Sequence, residues 1–188
     1  MPRALHYILP VLLLAGCAGS PVVTGSYPAA PVGDMSFSVA GRIGVRHEQG
    51  AETAHFDWRH ASVRDTVSLT TPLGQTVAQL ERLPEQVTLT LADGRQFASR
   101  NVESLSRDVL GWELPLSGMQ YWLRGVPVPG LTESSAVLPE TAGRTINQSG
   151  WVIHYPDYAG PPAIPARIIL QRQGLEIRVA VHQWDFEP

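Results

Sequence analysis

One thiol, six imidazoles and a scatter of serines are the groups in this chain that could do chemistry. The 188 residues contain a single cysteine, Cys17. A lone thiolate can attack an electrophile or take a covalent modification, but it has no partner for an internal disulfide. A zinc site needs several ligands brought together, and its short-range signature is a closely spaced histidine pair. Beyond residue 16 the histidines are His47, His55, His60, His154 and His182, and none forms a His-x-His or His-Glu-x-x-His pair. No metal is therefore expected. The chain also lacks a Gly-x-Ser-x-Gly elbow and a phosphate-cradling glycine loop. A Ser–His–Asp triad is defined by geometry, so the sequence leaves that one arrangement open. No catalytic residue and no cofactor are assigned, and the chain is not expected to be an enzyme.

The position of Cys17 gives the thiol its meaning. One basic residue, Arg3, precedes an apolar stretch from Leu5 to Leu14, and Leu14-Ala15-Gly16-Cys17 follows at its end. That stretch is about half the ~20 residues a spanning helix needs. Together with its small-residue ending, this marks residues 1–16 as an export signal. Leu-Ala-Gly-Cys resembles the lipobox of bacterial lipoproteins, in which the cysteine is thioether-linked to diacylglycerol and becomes the first mature residue. At ~0.8 kcal/mol per buried CH₂, one long acyl chain contributes on the order of 12 kcal/mol, and two or more anchor a protein stably. Ala18, where an aspartate would favour inner-membrane retention in enteric-type bacteria, points by the same resemblance to the outer membrane. No later apolar run reaches the ~18 residues of a membrane span.

Removing residues 1–16 leaves 172 (188 minus 16), the size of one domain. Thirteen arginines against seventeen acids leave this part at −4, and the chain contains no lysine. The arginines are scattered rather than striped, so nucleic acid is not an expected partner. Residues 17–34 hold Pro21, Pro28, Pro31, Gly19, Gly25 and Gly33, the composition of a tether between a lipid and a domain beginning at residue 35 and running to 188.

Within that domain the hydrophobic pattern has mostly period two, the mark of half-buried strands. Phe37, Val39, Gly41, Ile43 and Val45 fall on one face of the first segment. Phe56 and Trp58, then Val67 and Leu69, then Val87, Leu89 and Leu91 repeat the pattern, and Asp93-Gly94 supplies a hairpin turn. The period changes after Asn101, which can cap a helix with Val102, Leu105, Val109 and Leu110 on its apolar face, ended by Gly111. A second short helix is predicted from near Ser117, carrying Met119, Tyr121, Trp122 and Leu123 and stopped by Gly125 and Pro127. Strands return at Trp151–Tyr155, around Ile168 and Leu170, and at Leu175–Val181. Many antiparallel strands with one apolar face and only two helices describe a strongly curved sheet or open barrel wrapped around the helices. Its interior is either a solid core or a ligand cavity; the pattern does not separate the two.

Several short stretches stand in a definite order along this domain. They are Gly41-Arg42-Ile43-Gly44-Val45, Phe56-Asp57-Trp58, Leu69-Thr70-Thr71-Pro72-Leu73-Gly74-Gln75-Thr76, and Tyr121-Trp122-Leu123-Arg124-Gly125-Val126-Pro127. Gln148-Ser149-Gly150-Trp151 with Tyr155, Pro165-Ala166-Arg167-Ile168 and finally Trp184 follow in turn. In kind and order these stretches resemble the LolB family of outer-membrane lipoprotein receptors. The resemblance implies an unclosed antiparallel barrel with a small α-helical lid over an apolar cavity for acyl chains. It implies acceptance of lipoproteins from the periplasmic carrier LolA and their insertion into the outer membrane, without nucleotide hydrolysis. The expected setting is an outer-membrane anchor facing the periplasm, with a monomer as the expected state. Relatives carry an amphipathic helix ahead of the first strand; here the tether runs almost directly into it, so a smaller lid is expected.

Candidate cavity-lining residues are Phe56, Trp58, Leu69 and Leu89 from the sheet and Met119, Trp122 and Leu123 from the lid. For each, plain core packing is an equally good account. Leu73 differs, because Thr71-Pro72-Leu73-Gly74 fits a turn with proline second and glycine fourth, which puts a bulky apolar side chain at a loop tip. By the resemblance, that leucine makes membrane contact during release. Two readings compete with the receptor: a structural or assembly scaffold with a filled interior, and a lipid-active hydrolase with a Ser or His opening into the cavity.

Overall fold

The computed structural model describes residues 35–138, 143–157 and 163–186. The export signal, Cys17 and the tether lie outside the described residues. Those residues form β1 (Phe37–His47), β2 (Gly50–Ala61), β3 (Arg64–Thr70), β4 (Thr76–Arg82), β5 (Val87–Leu91) and β6 (Gln96–Ser99). Then come α1 (Val102–Leu110) and α2 (Leu116–Trp122), followed by β7 (Glu133–Leu138), β8 (Gly143–Gln148), β9 (Trp151–Tyr155), β10 (Arg167–Arg172) and β11 (Leu175–Phe186).

All eleven strands join one sheet in the order β6-β5-β4-β3-β2-β1-β11-β10-β9-β8-β7. Each half is an antiparallel meander, and β1 pairs with β11 at the centre. The helices connect β6 to β7, the two outermost strands, so the chain must cross from one sheet edge to the other through them. That crossover is what sets the helices over the concave face. Period-two burial follows the expected faces: Phe37, Val39, Gly41, Ile43 and Val45 of β1 and Ile177, Val179 and Val181 of β11 are buried, with more exposed residues between them. Inward side chains from both halves of the sheet join Leu105, Leu116, Met119 and Trp122 of the helices in a single hydrophobic cluster. A sheet whose two halves share one core with two short helices is curved around them.

Capping explains where α1 starts and stops. Asn101 Oδ1 accepts from the Ser104 N–H at 2.7 Å, and Gly111, at φ 82°, donates its N–H to the Arg107 carbonyl. The second helix begins at Leu116, one residue before the expected start, and Leu123 forms its C-cap. Pro115 offers it no side-chain cap; instead Glu103 of α1 accepts from the Ser117 N–H at 3.1 Å. At seven residues, far below the ~12–15 an isolated helix needs, α2 owes its existence to packing. The Gln-Ser-Gly-Trp motif is the β8–β9 hairpin, with Ser149 (φ 53°) and Gly150 (φ 78°) both left-handed, the requirement of a type I′ turn.

Candidate functional site

The register divides the barrel into two ends. At one end β1 begins beside the β2–β3 turn, since Phe37 pairs with His60 and Ala61 with Arg64. At the other lie the β1–β2, β3–β4, β5–β6, β8–β9 and β10–β11 turns.

The first end is closed by a polar cluster set among aromatic rings. Asp65, 2% exposed, accepts from the Trp58 indole N–H at 2.7 Å and from His60 Nδ1 at 2.7 Å. Its other oxygen accepts from Arg82 Nε at 2.7 Å, and Arg82 continues to Ser117 Oγ of α2 at 3.3 Å. Burial pushes the Asp65 carboxyl up, but the hydrogen bond with His60, the Arg82 charge and the Trp58 indole outweigh it and hold the group below the usual carboxylate range. Phe37 stands edge-on to Trp58 and to Trp184, with centroids 5.4 Å and 5.3 Å away. Trp58, expected as an apolar wall residue, is thus also a hydrogen-bond donor, and His60, Asp65 and Arg82 join it without having been expected at a site. A signal existed: each shares the strand parity of an inward apolar neighbour, Trp58, Val67 and Leu80 respectively.

A second polar anchor holds the lid. Gln148, 2% exposed, accepts from the Trp122 indole N–H at 3.1 Å and from the Val128 N–H at 2.8 Å, and donates to the Val128 carbonyl. The Tyr155 hydroxyl donates to the Trp122 carbonyl at 3.0 Å. Thus Gln148 and Tyr155, two residues of the family-like stretches with no assigned role, fix the segment that contains Trp122.

The seven cavity candidates all point inward and all join the hydrophobic cluster: Phe56, Trp58, Leu69, Leu89, Met119, Trp122 and Leu123. They do not all line free space. An apolar pocket of ≈ 340 Å³ opens at the far end, lined by Ile43, Val45, Ala54, Leu69, Val77, Leu110 and Trp112 together with Glu52 and Thr53. Of the seven, Leu69 alone lines it. Trp112, which is not among the seven, forms a wall of it. The volume lies at the low end of the ~300–1,000 Å³ typical of ligand pockets.

Leu73 stands on the β3–β4 connection at that same end, between Leu69 and Val77 in sequence. Its turn has the expected form: the Gly74 N–H donates to the Thr71 carbonyl at 2.9 Å, and Gly74 sits at φ 82°. The Thr71 N–H donates to the Gln75 carbonyl, and the Gln75 N–H reaches Thr71 Oγ1. This compact loop leaves Leu73 88% exposed. Among the described residues no three His, Cys, Asp or Glu side chains gather as a metal set. No helix among them is long and apolar enough to cross a membrane.

Fold and site together define a class: an unclosed antiparallel barrel with an apolar interior, two helices over it, and an apolar pocket beside an exposed leucine turn. The family model described as outer membrane lipoprotein LolB matches residues 35–184, and the chain belongs to the LolB family. Among its relatives is the outer-membrane lipoprotein LolB of Chromobacterium violaceum, 41% identical over 174 residues, covering 92% of this chain and 93% of that one. Its counterpart from Thiobacillus denitrificans is 38% identical, with 93% of each chain covered. A solved LolA superfamily protein from Nitrosomonas europaea aligns with 85% of this chain and 89% of its own, at a TM-score of 0.45 and 8% identity.

Proposed function

We propose that this protein is an outer-membrane-anchored receptor that accepts lipoproteins from the periplasmic carrier LolA and inserts them into the outer membrane. In this reading lipid on Cys17 holds the protein at the periplasmic side of that membrane, and the acyl chains of the cargo enter the apolar interior. Transfer needs no bond to be made or broken, so the protein acts as a binding and delivery device and not as an enzyme. Acyl chains cost many kcal/mol in water, and an apolar pocket that opens at one end answers that cost without reading the polypeptide. The observation that carries the proposal is the ≈ 340 Å³ apolar pocket at the end that also presents Leu73. Family membership supports it.

The test mixes the full chain carrying Cys17→Ala with a carrier–lipoprotein complex and follows whether cargo changes hands. Transfer is the expected result; cargo that stays on the carrier refutes the receptor. One observation favours the scaffold alternative: Trp58, Leu89 and Leu123 are packed to 2% exposure or less, as in a solid core. A fatty-acid probe separates the two, since a scaffold with a filled interior leaves it unbound.

A further inference from the structure

Beside the apolar pocket, and sharing Trp112 with it, lies a second cavity of ≈ 380 Å³ with a different lining. It sits between the β1–β2 turn, the β10–β11 turn and the C-terminal end of α1. Its charged side chains are Arg107, Arg172, Glu48 and Glu113. Glu113 is held between the two guanidiniums: Arg172 Nη1 donates to it at 2.8 Å, and Arg107 pairs with its other oxygen. Arg172 also lies over the Trp151 ring, 5.5 Å from its centroid. In the wall common to both cavities, the Trp112 indole N–H is buried with no hydrogen-bond partner. An unsatisfied buried donor is unusual and calls for a reason.

From this pairing we infer a site for the polar head of an acylated polypeptide, adjoining the pocket for its chain. The inference rests on the receptor reading above. An acylated cysteine is an amphiphile: its chains join the peptide through ester and amide groups, which carry carbonyl acceptors and N–H donors but no charge. The second cavity matches such a head. Two guanidiniums and two carboxylates balance, so it offers donors and acceptors together at zero net charge. A phosphate would meet Glu48 and Glu113 as well as the arginines, and is the poorer fit. The geometry assigns the arginines and the Trp112 N–H to carbonyl oxygens, and the carboxylates to peptide N–H groups. This places head recognition and chain burial on opposite sides of one indole.

The experiment titrates the full chain carrying Cys17→Ala with three probes. They are a synthetic lipopeptide with a triacylated N-terminal cysteine, a short-chain phosphatidylethanolamine, and a fluorescent alkyl chain without carbonyl groups. Arg172→Met keeps the apolar stem over Trp151 and removes the donors. Trp112→Phe keeps the ring and removes the N–H. Loss of a hydrogen bond from a charged donor should weaken lipopeptide binding about tenfold in Arg172→Met, and loss of a neutral one about three- to fivefold in Trp112→Phe. Alkyl-chain binding should stay within about twofold in both variants, and phosphatidylethanolamine, which has the ester carbonyls but no peptide amides, should weaken less than the lipopeptide. Trp112→Phe shrinks a buried side chain and should melt somewhat lower than the parent, so binding is read well below that temperature. Unchanged lipopeptide binding in both variants overturns the head site and leaves the receptor standing. An equal loss for all three probes also overturns it, by showing damage to the shared wall. A parent chain that binds none of the probes overturns both readings.

Discussion

Replacing Leu73 with Glu tests where release happens. At 88% exposure Leu73 adds almost nothing to the core, so the change should alter folding stability by no more than about 0.5 kcal/mol. The turn that carries it depends on Pro72, Gly74 and the Thr71 backbone, none of which is altered. Pressed into a bilayer, the leucine would bury nearly its whole side chain, worth about 1.5–3 kcal/mol. Every 1.4 kcal/mol is a factor of ten, so losing that contact should weaken vesicle engagement roughly 10- to 100-fold. The carboxylate adds the cost of desolvating a charge and of facing anionic headgroups. Two assays separate uptake from release: cargo transfer from the carrier in solution, and cargo insertion into liposomes. The variant should accept cargo at the parent rate and insert it poorly. Normal insertion by a folded variant refutes the membrane role of Leu73. Loss of both activities with a lowered melting temperature would show that the side chain packs against the domain in solution.

Other perturbations probe the anchor, the central strand and the sealed end. Mass spectrometry of the membrane-extracted protein should find Cys17 acylated, and Cys17→Ala should leave the protein unanchored; an unmodified thiol in membrane-extracted protein contradicts this. Gly41→Ala should cost about 1–3 kcal/mol by overpacking, because a Cβ there would fall on the Ala180 carbonyl and within 2.9 Å of the Phe56 ring; a chemical denaturation curve measures it. Asp65→Asn breaks a buried, hydrogen-bonded pair and should destabilise by about 3 kcal/mol. Because the folded-state pKa of Asp65 lies below its unfolded value, its contribution is complete above the ordinary carboxylate range and is lost as pH falls through the folded value. Acid unfolding below about pH 4 should therefore be shallower in Asp65→Asn than in the parent, and an unchanged acid limb would remove Asp65 from the account.

Strands with several inward aliphatic residues announced themselves, as in β1 and β11, because burial on one face imposes period two directly on the sequence. The strands that escaped notice obey the same rule with less to show. In β4 the inward residues are Ala78 and Leu80, while Val77 falls where the register with β3 shifts and breaks the alternation. In β8 the buried positions are Gly143, Ile146 and Gln148, so a single aliphatic residue marks an inner face that is held by the ladder and by the side-chain bonds of Gln148. Helix limits were legible where caps are local, as at Asn101 and Gly111, and less so for α2, whose Ser117 N–H looks to Glu103 fourteen residues earlier. Leu73 was legible because its turn is set by four consecutive residues. The pocket was not, because Trp112 and Leu110 reach it from the helical crossover, and strand periodicity carries no information about what a crossover brings to a sheet.

The two ends of the barrel differ in what it would cost to open them. Where β1 begins, Asp65 binds Trp58, His60 and Arg82, Arg82 reaches α2, and Phe37 packs edge-on between Trp58 and Trp184. Opening this end would strand a buried carboxylate and an arginine, which costs several kcal/mol. At the opposite end the turns enclose two cavities, and the Leu73 side chain stands in solvent. Among the described residues that line the apolar pocket there, the one charged side chain, Glu52, is exposed. In the proposed receptor cargo would enter and leave through the other end, so the apolar pocket, the polar cavity and the leucine turn would act on the same ligand in sequence. Substitutions at the sealed end should accordingly register first as melting temperature. Those at Leu73, Trp112 and Arg172 should register as transfer with the fold intact.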